Sequence, residues 1–234
     1  MVNQIVVGAI ATNCWIVSPD EETMPDTPAP AARGCIIIDP GADANVIIAR
    51  LKRLNLYPRY ILLTHGHFDH ITALPELAGA FGGAEGPLIA IHKEDAAYLG
   101  PRAYRAHRLC FDRLHCDESA FITGGAGDVE KFWKAMPSPG LLLEEGSSIG
   151  PFRTLHLPGH SPGSAGFYDQ ERGLLFSGDT LFRGDMGRTD LPGGDWDSLQ
   201  KSLGRLFAMD GAITVYPGHG PVTSIGEERG SYPM

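Results

Sequence analysis

Short apolar runs alternate along the chain with segments of helical period. Residues 4–7 (QIVV), 13–17 (NCWIV) and 34–38 (GCIII) are rich in β-branched residues and predict strands. The stretch at 19–33 carries Pro19, Pro25, Pro28 and Pro30, which rule out a central strand and predict an exposed loop or hairpin tip. Residues 44–56 place Ile47, Leu51 and Leu54 on one side among Arg and Lys, the pattern of an amphipathic helix. A buried strand is predicted at 59–64, a helix at 70–80, a strand at 86–92 and a helix at 93–99.

Residues 100–140 break this rhythm with Arg, aromatics, His and Cys, and predict a partly helical, lid-like insert. Short strands follow at 141–145, 152–157, 165–169 and 174–179. A helix at 195–208 is capped by Asp195 or Asp197, and a last buried strand spans 212–218. No repeat or clear linker interrupts the alternation. The expectation is one α/β domain over residues 1–234 with a mixed, two-sheet core.

Composition narrows the role. Hydrophobic residues make up 43% and charged residues 20%, which is ordinary globular usage. No apolar run approaches the roughly 18 residues of a membrane helix, so no membrane partner is expected. The formal net charge is -9 and no basic stripe is present, which argues against nucleic acid as a partner. The N-terminal segment lacks the order of a signal peptide, so a cytoplasmic location is expected. The four cysteines (Cys14, Cys35, Cys110 and Cys116) are then read as reduced thiols. Oligomeric state stays open, a homo-oligomer included.

The nine histidines carry the chemistry. THGHFDH (64–70) follows the predicted strand at 59–64 and holds His65, His67, Asp69 and His70 within six residues. In an extended segment i and i+2 point the same way, so His65 and His67 can face one ion. A turn into the next helix swings Asp69 and His70 toward a second position. His160, Asp179 and His219 each stand at the end of a predicted strand, immediately after a Gly. Imidazoles and carboxylates together suit Zn, Fe or Mn. The assignment is His65, His67 and His160 on one divalent ion, Asp69, His70 and His219 on the second, and Asp179 bridging.

The H-x-H-x-D-H run resembles that of the metallo-β-lactamase superfamily, and nearly the whole chain shares the resemblance. IIIDPGAD (36–43), HLPGHSPGS, LLFSGDTLF and VYPGHG are similar to the superfamily's other motifs, in order. GDTLFRGDMGRTDLPGGD and YPGHGPVTSIGEER resemble the short bacterial glyoxalase II type, the single-domain hydroxyacylglutathione hydrolases. With about 15 residues after His219, the C-terminal helical domain of full-length glyoxalase II is expected to be missing. The resemblance implies a four-layered αββα sandwich of two mixed β-sheets flanked by helices. It also implies that Asp39 supports the metal site from behind its ligands.

The activity so implied is hydrolysis of a small anionic thioester, S-2-hydroxyacylglutathione (S-lactoylglutathione). Paired ions would supply the nucleophile from water at neutral pH and receive charge from the carbonyl. Asp69 is cast as catalytic, binding metal and accepting a hydrogen bond from the attacking water. Arg188 lies near the position where longer glyoxalase II enzymes use a Lys toward glutathione, and Arg183 is a further candidate. The alternative for Arg188 is a structural pair with Asp190. His92 and His156 are expected to be packing residues, and HRLCFDRLHC (107–116) a lid helix rather than a separate zinc site. Two rival activities share the ligand set. One is a mononuclear iron persulfide dioxygenase using His65, His160 and Asp179. The other is a hydrolase of another ester or amide, such as a lactone or β-lactam.

Overall fold

The computed structural model describes residues 1–18, 33–83, 86–122 and 127–231. The Pro-rich loop expected at 19–33 therefore lies outside the described residues except at Arg33, which opens a strand.

Strands β1 (Val2–Val7) and β2 (Thr12–Val17) pair antiparallel, and β3 (Arg33–Ile38) runs antiparallel to β2 with Trp15 opposite Ile38. Helix α1 (Ala44–Leu54) stops two residues short of the predicted end. Asn55 adopts the left-handed conformation (φ 52°) and its N–H closes the last turn, so Leu56 already opens β4 (Leu56–Leu63). Pro58 sits inside β4, where it lacks a donor. The β3–β4 register skips Arg59 beside it, a bulge that lets the parallel pairing continue.

The helix predicted at 70–80 is two helices, α2 (Phe68–Ile71) and α3 (Leu74–Phe81). Pro75 is the cause: it has no N–H to bond backward but fits the first turn of a new helix. Strand β5 (Leu88–His92) leads into 3-10 turns at Lys93–Tyr98 and Gly100–Arg102, where one α-helix is predicted at 93–99. The insert holds α4 (Ala103–Leu114), α5 (Glu118–Ile122) and α6 (Val129–Lys134). Strand β6 (Leu141–Leu143) closes the first sheet, whose order is β1-β2-β3-β4-β5-β6 with β3 to β6 parallel.

The second half adds β7 (Ser148–Ile149), β8 (Phe152–His156), β9 (Ala165–Asp169) and β10 (Leu174–Gly178). A small ribbon of β11 (Leu181–Phe182) and β12 (Asp185–Met186) follows, then α7 (Trp196–Phe207). Asp195 caps α7 by accepting from Ser198 N at 2.8 Å. Strands β13 (Thr214–Pro217) and β14 (Thr223–Ser224) and helix α8 (Ile225–Arg229) complete the described chain. The second sheet runs β14-β13-β10-β9-β8-β7, with only β10–β13 parallel.

Alternation along the strands builds the layers. In β3, Ile36 and Ile38 face Phe152, Phe167 and Phe176 of the second sheet, while Cys35 and Ile37 face α1 and its neighbours. On the far side, Leu175 and Val215 pack under Leu199, Leu203 and Leu206 of α7. The result is a four-layered αββα sandwich of two mixed sheets. No helix among the described residues is long and apolar enough to cross a membrane.

Candidate metal centre

The ligand candidates leave the ends of strands from both sheets. Asp39 follows β3, His65 to His70 follow β4, and His160, Asp179 and His219 stand beyond β8, β10 and β13. Their side chains meet at one edge of the sandwich. His67 Nδ1 lies 2.8 Å from His160 Nε2, and His160 Nε2 lies 3.2 Å from His65 Nε2. Beside this trio, Asp69 Oδ2 is 3.1 Å from His70 Nε2 and 3.2 Å from His219 Nε2. Asp179 lies between the groups: Oδ1 is 3.4 Å from His70 Nε2, and Oδ2 is 3.6 Å from both His160 Nε2 and His219 Nε2.

The donor set fits divalent cations. Among the described residues, the buried His70 Nε2 and Asp179 Oδ1 make no well-aligned hydrogen bond although carboxylate and imidazole lie within 3.4 Å, an arrangement that suits a cation between them. Burial and the neighbouring imidazoles push the His65 and His67 rings well below the ordinary histidine range, which keeps them neutral with a lone pair to give. Burial also lowers His70, but Asp69, Asp179 and Asp39 outweigh it and hold the ring well above that range. Burial raises the Asp69 carboxyl, and His70 and His219 more than reverse this. Three carboxylates crowded on one imidazole make a strongly cation-seeking pocket. These His/Asp clusters are typical of a binuclear site, with room for one ion on His65, His67 and His160 and one on Asp69, His70 and His219.

Contacts behind the ligands set their direction. Asp39 accepts from Thr64 N at 2.8 Å and Thr64 Oγ1 at 2.6 Å, and its Oδ2 lies 3.0 Å from His70 Nδ1. Asp39 thus fixes the His70 tautomer with Nε2 toward the centre. Gly41 permits the approach, since a Cβ there would stand 1.6 Å from the Asp69 carbonyl oxygen.

Other supports escape a reading of the sequence. Asn13 Nδ2 donates to the carbonyls of Pro217 (3.0 Å) and Gly220 (2.8 Å) and so pins the turn that carries His219. Thr12 Oγ1 donates to Asp69 Oδ2 at 3.1 Å. Asp95 is fully buried and bonds two of the ligand-bearing loops. Nothing in TNCWIV or HKEDAAY marks these residues; only the folded contacts do.

A cavity of about 480 Å³ opens over the centre. Phe68 and Ile10 line one side, Leu114 and Phe121 of the insert another, and Phe182 and Leu191 a third. Cys110, Cys116 and Arg188 also reach its wall, and Arg188 is the one Lys or Arg there among the described residues. The Arg188 guanidinium is bidentate on Asp190, at 2.6 and 2.7 Å. Arg183 is exposed and does not line the cavity. His92 and His156 stack on each other at 4.0 Å, apart from the metal-ligand groups. His107 stacks on Trp133 at 3.7 Å, and neither it nor Cys110, His115 or Cys116 joins a converging ligand group among the described residues.

Comparison with known proteins agrees with this geometry. The family model of the metallo-beta-lactamase superfamily matches residues 31–219. Hydroxyacylglutathione hydrolase GloC of Haemophilus influenzae is 32% identical over 231 residues, covering 98% of this chain and 95% of the relative. The crystal structure of TTHA1623 in a di-iron-bound form is 34% identical, with a TM-score of 0.74 and 99% of each chain covered. The BLEG-1 B3 metallo-beta-lactamase is 33% identical, with a TM-score of 0.73 over 97% of this chain and 96% of that one. With the fold, the clustered ligand groups and these likenesses in hand, the chain belongs to the metallo-β-lactamase superfamily and is a metallo-hydrolase of it.

Proposed function

We propose that the chain hydrolyses a thioester, S-2-hydroxyacylglutathione (S-lactoylglutathione) being its substrate, with two divalent ions as cofactors. The observation that carries this reading is the pair of donor groups joined by Asp179 at the floor of an open cavity. The name of the Haemophilus relative supports the choice of substrate. When bound, two ions supply a nucleophile from water at neutral pH and polarise a carbonyl. Zinc is the ion to test first, and iron and manganese suit the same donors.

The chain's own groups do the rest. Asp69, oriented by Thr12, holds an ionised carboxylate at the cavity floor, where it would help hold metal and accept a hydrogen bond from the attacking water. Phe68, Leu114, Phe121 and Phe182 give the cavity an apolar wall beside the reacting carbonyl. Arg188 keeps donors beyond the two that Asp190 engages, and these face a substrate carboxylate. A leaving thiolate is a weak base, so no strong general acid is required.

The test is elemental analysis of the purified protein with a panel of S-lactoylglutathione, glutathione persulfide, a lactone and a β-lactam. The expected result is about two metal equivalents and release of thiol from S-lactoylglutathione. Asp69→Ala should lower that turnover by on the order of 10³-fold while the protein stays folded. Oxygen uptake on the persulfide with one iron per chain would overturn the reading, as would activity confined to the lactone or the β-lactam.

A further inference from the structure

Asp95 lies in the Lys93–Tyr98 turn after β5, outside every strand-end loop that carries a metal-ligand candidate. It is fully buried, and its partners are backbone N–H groups and a hydroxyl, with no Lys or Arg paired to it among the described residues. Oδ2 accepts from Gly66 N at 3.0 Å and from Ser161 Oγ at 2.7 Å, and Oδ1 accepts from Gly163 N at 2.7 Å. Gly66 stands between His65 and His67, and Ser161 follows His160. One side chain therefore ties the loop carrying two imidazoles of the first trio to the loop carrying the third.

The surrounding packing shows how close this approach is. A Cβ on Gly163 would fall 2.7 Å from the Asp95 carboxyl carbon, and one on Gly66 would fall 2.3 Å from the Tyr98 ring. Both loops thus press their backbones against the same turn. Tyr98 adds an edge-on contact to the His67 ring at 5.6 Å. From the other side the insert braces the turn: His107 Nε2 lies 3.2 Å from the Tyr98 carbonyl oxygen. Among the described residues the second group, Asp69, His70 and His219, makes no hydrogen bond to Asp95 or Tyr98; it leans on Asp39, Thr12 and Asn13 and meets the first trio where the His70 ring lies 4.1 Å from that of His65.

We infer that Asp95 is the positioning residue of the three-histidine half of the centre, holding His65, His67 and His160 at ligating separation through the backbones of Gly66 and Gly163 and the hydroxyl of Ser161. It acts on metal affinity at that half and leaves the Asp69–His70–His219 half alone. The inference rests on the binuclear reading. Asp95→Asn tests it with little change of shape. An amide has one acceptor oxygen, so either Gly66 N–H or Gly163 N–H must face an NH2 group and lose its partner.

The measurement is titration of metal-stripped full-length protein with zinc against a chromophoric chelator, beside thermal melting of the metal-free form. Wild type should take up two tight equivalents. Asp95→Asn should keep one of them unchanged and bind the other at least tenfold more weakly. Ser161→Ala, which leaves the carboxylate in place, should weaken the same equivalent by a few fold, and it decides the matter if Asp95→Asn fails to fold. Unchanged affinities for both equivalents would overturn the inference. Equal weakening of both, with a lowered melting point of the metal-free form, would also overturn it by showing a general structural role. Fewer than two equivalents in wild type would overturn the binuclear reading and this inference with it.

Discussion

His160 Nδ1 lies 2.8 Å from the main-chain carbonyl oxygen of Arg188. A carbonyl only accepts, so Nδ1 carries the proton and Nε2 keeps the lone pair that faces His65 and His67. Arg188 therefore serves the centre through its backbone, while its side chain lies in the cavity wall against Asp190. These two parts can be separated by mutation.

Arg188→Ala removes the guanidinium but not the carbonyl. Metal content should stay at the wild-type level. KM for an anionic thioester should rise about tenfold with kcat little changed, the equivalent of one charge-assisted hydrogen bond at roughly 1.4 kcal/mol. Steady-state kinetics beside elemental analysis checks both. Loss of metal would mean that the side chain, through Asp190, shapes the loop that holds the carbonyl.

Gly218 offers a steric test of the centre. A Cβ there would stand 2.1 Å from Asp179 Oδ1 and 2.7 Å from His70 Cε1. The backbone cannot retreat easily, because Gly218 N donates to Gly178 O at 2.9 Å and Gly218 O accepts from Asn13 N at 2.7 Å. Gly218→Ala should push Asp179 and His70 aside, with metal affinity reduced at least tenfold and stability lowered by about 1–3 kcal/mol. Gly204→Ala is the control: inside α7, with nothing within 4 Å of its Cβ, it should be neutral or stabilise by up to about 1 kcal/mol. Equal behaviour of the two variants in metal titration would refute the steric account.

The difference between Asp69 and Asp95 shows what could be read from the chain alone. Asp69 belongs to a dense local run at a strand end, and His160, Asp179 and His219 repeat one strand-Gly-ligand pattern. Such signals survive in the sequence because neighbours in the chain do the work. The two sheets were legible for the same reason, since β3 alternates its faces residue by residue. Asp95 reaches Gly66 and Gly163, and Asn13 reaches Pro217, across wide gaps in the chain that no local pattern spans. The α2–α3 break was within reach of the sequence at Pro75. The end of α1 at Asn55 was less so, because left-handed Asn is a preference of the residue rather than a rule.

The insert supplies the last prediction, through His107. Its ring is fully buried, stacked on Trp133 at 3.7 Å and 8°, with Nε2 donating to the Tyr98 carbonyl and Nδ1 without a partner among the described residues. Burial pushes its pKa from 6.5 down to about 3, the Tyr98 hydrogen bond only partly opposing this. The folded protein thus resists a proton that the unfolded chain accepts. Stability from the neutral ring is fully present above pH 6.5 and is lost as pH falls toward 3. The slope is about 1.4 kcal/mol per pH unit, or roughly 2 kcal/mol by pH 5. His107→Phe keeps an aromatic face on Trp133 and removes the titrating group. It should cost about 1 kcal/mol at pH 7.5 for the lost hydrogen bond, yet fall off less steeply between pH 6.5 and 5. Urea unfolding of the metal-loaded protein across this range measures both. Parallel curves for the variant and the wild type would show that the acid sensitivity of the fold arises elsewhere than at His107.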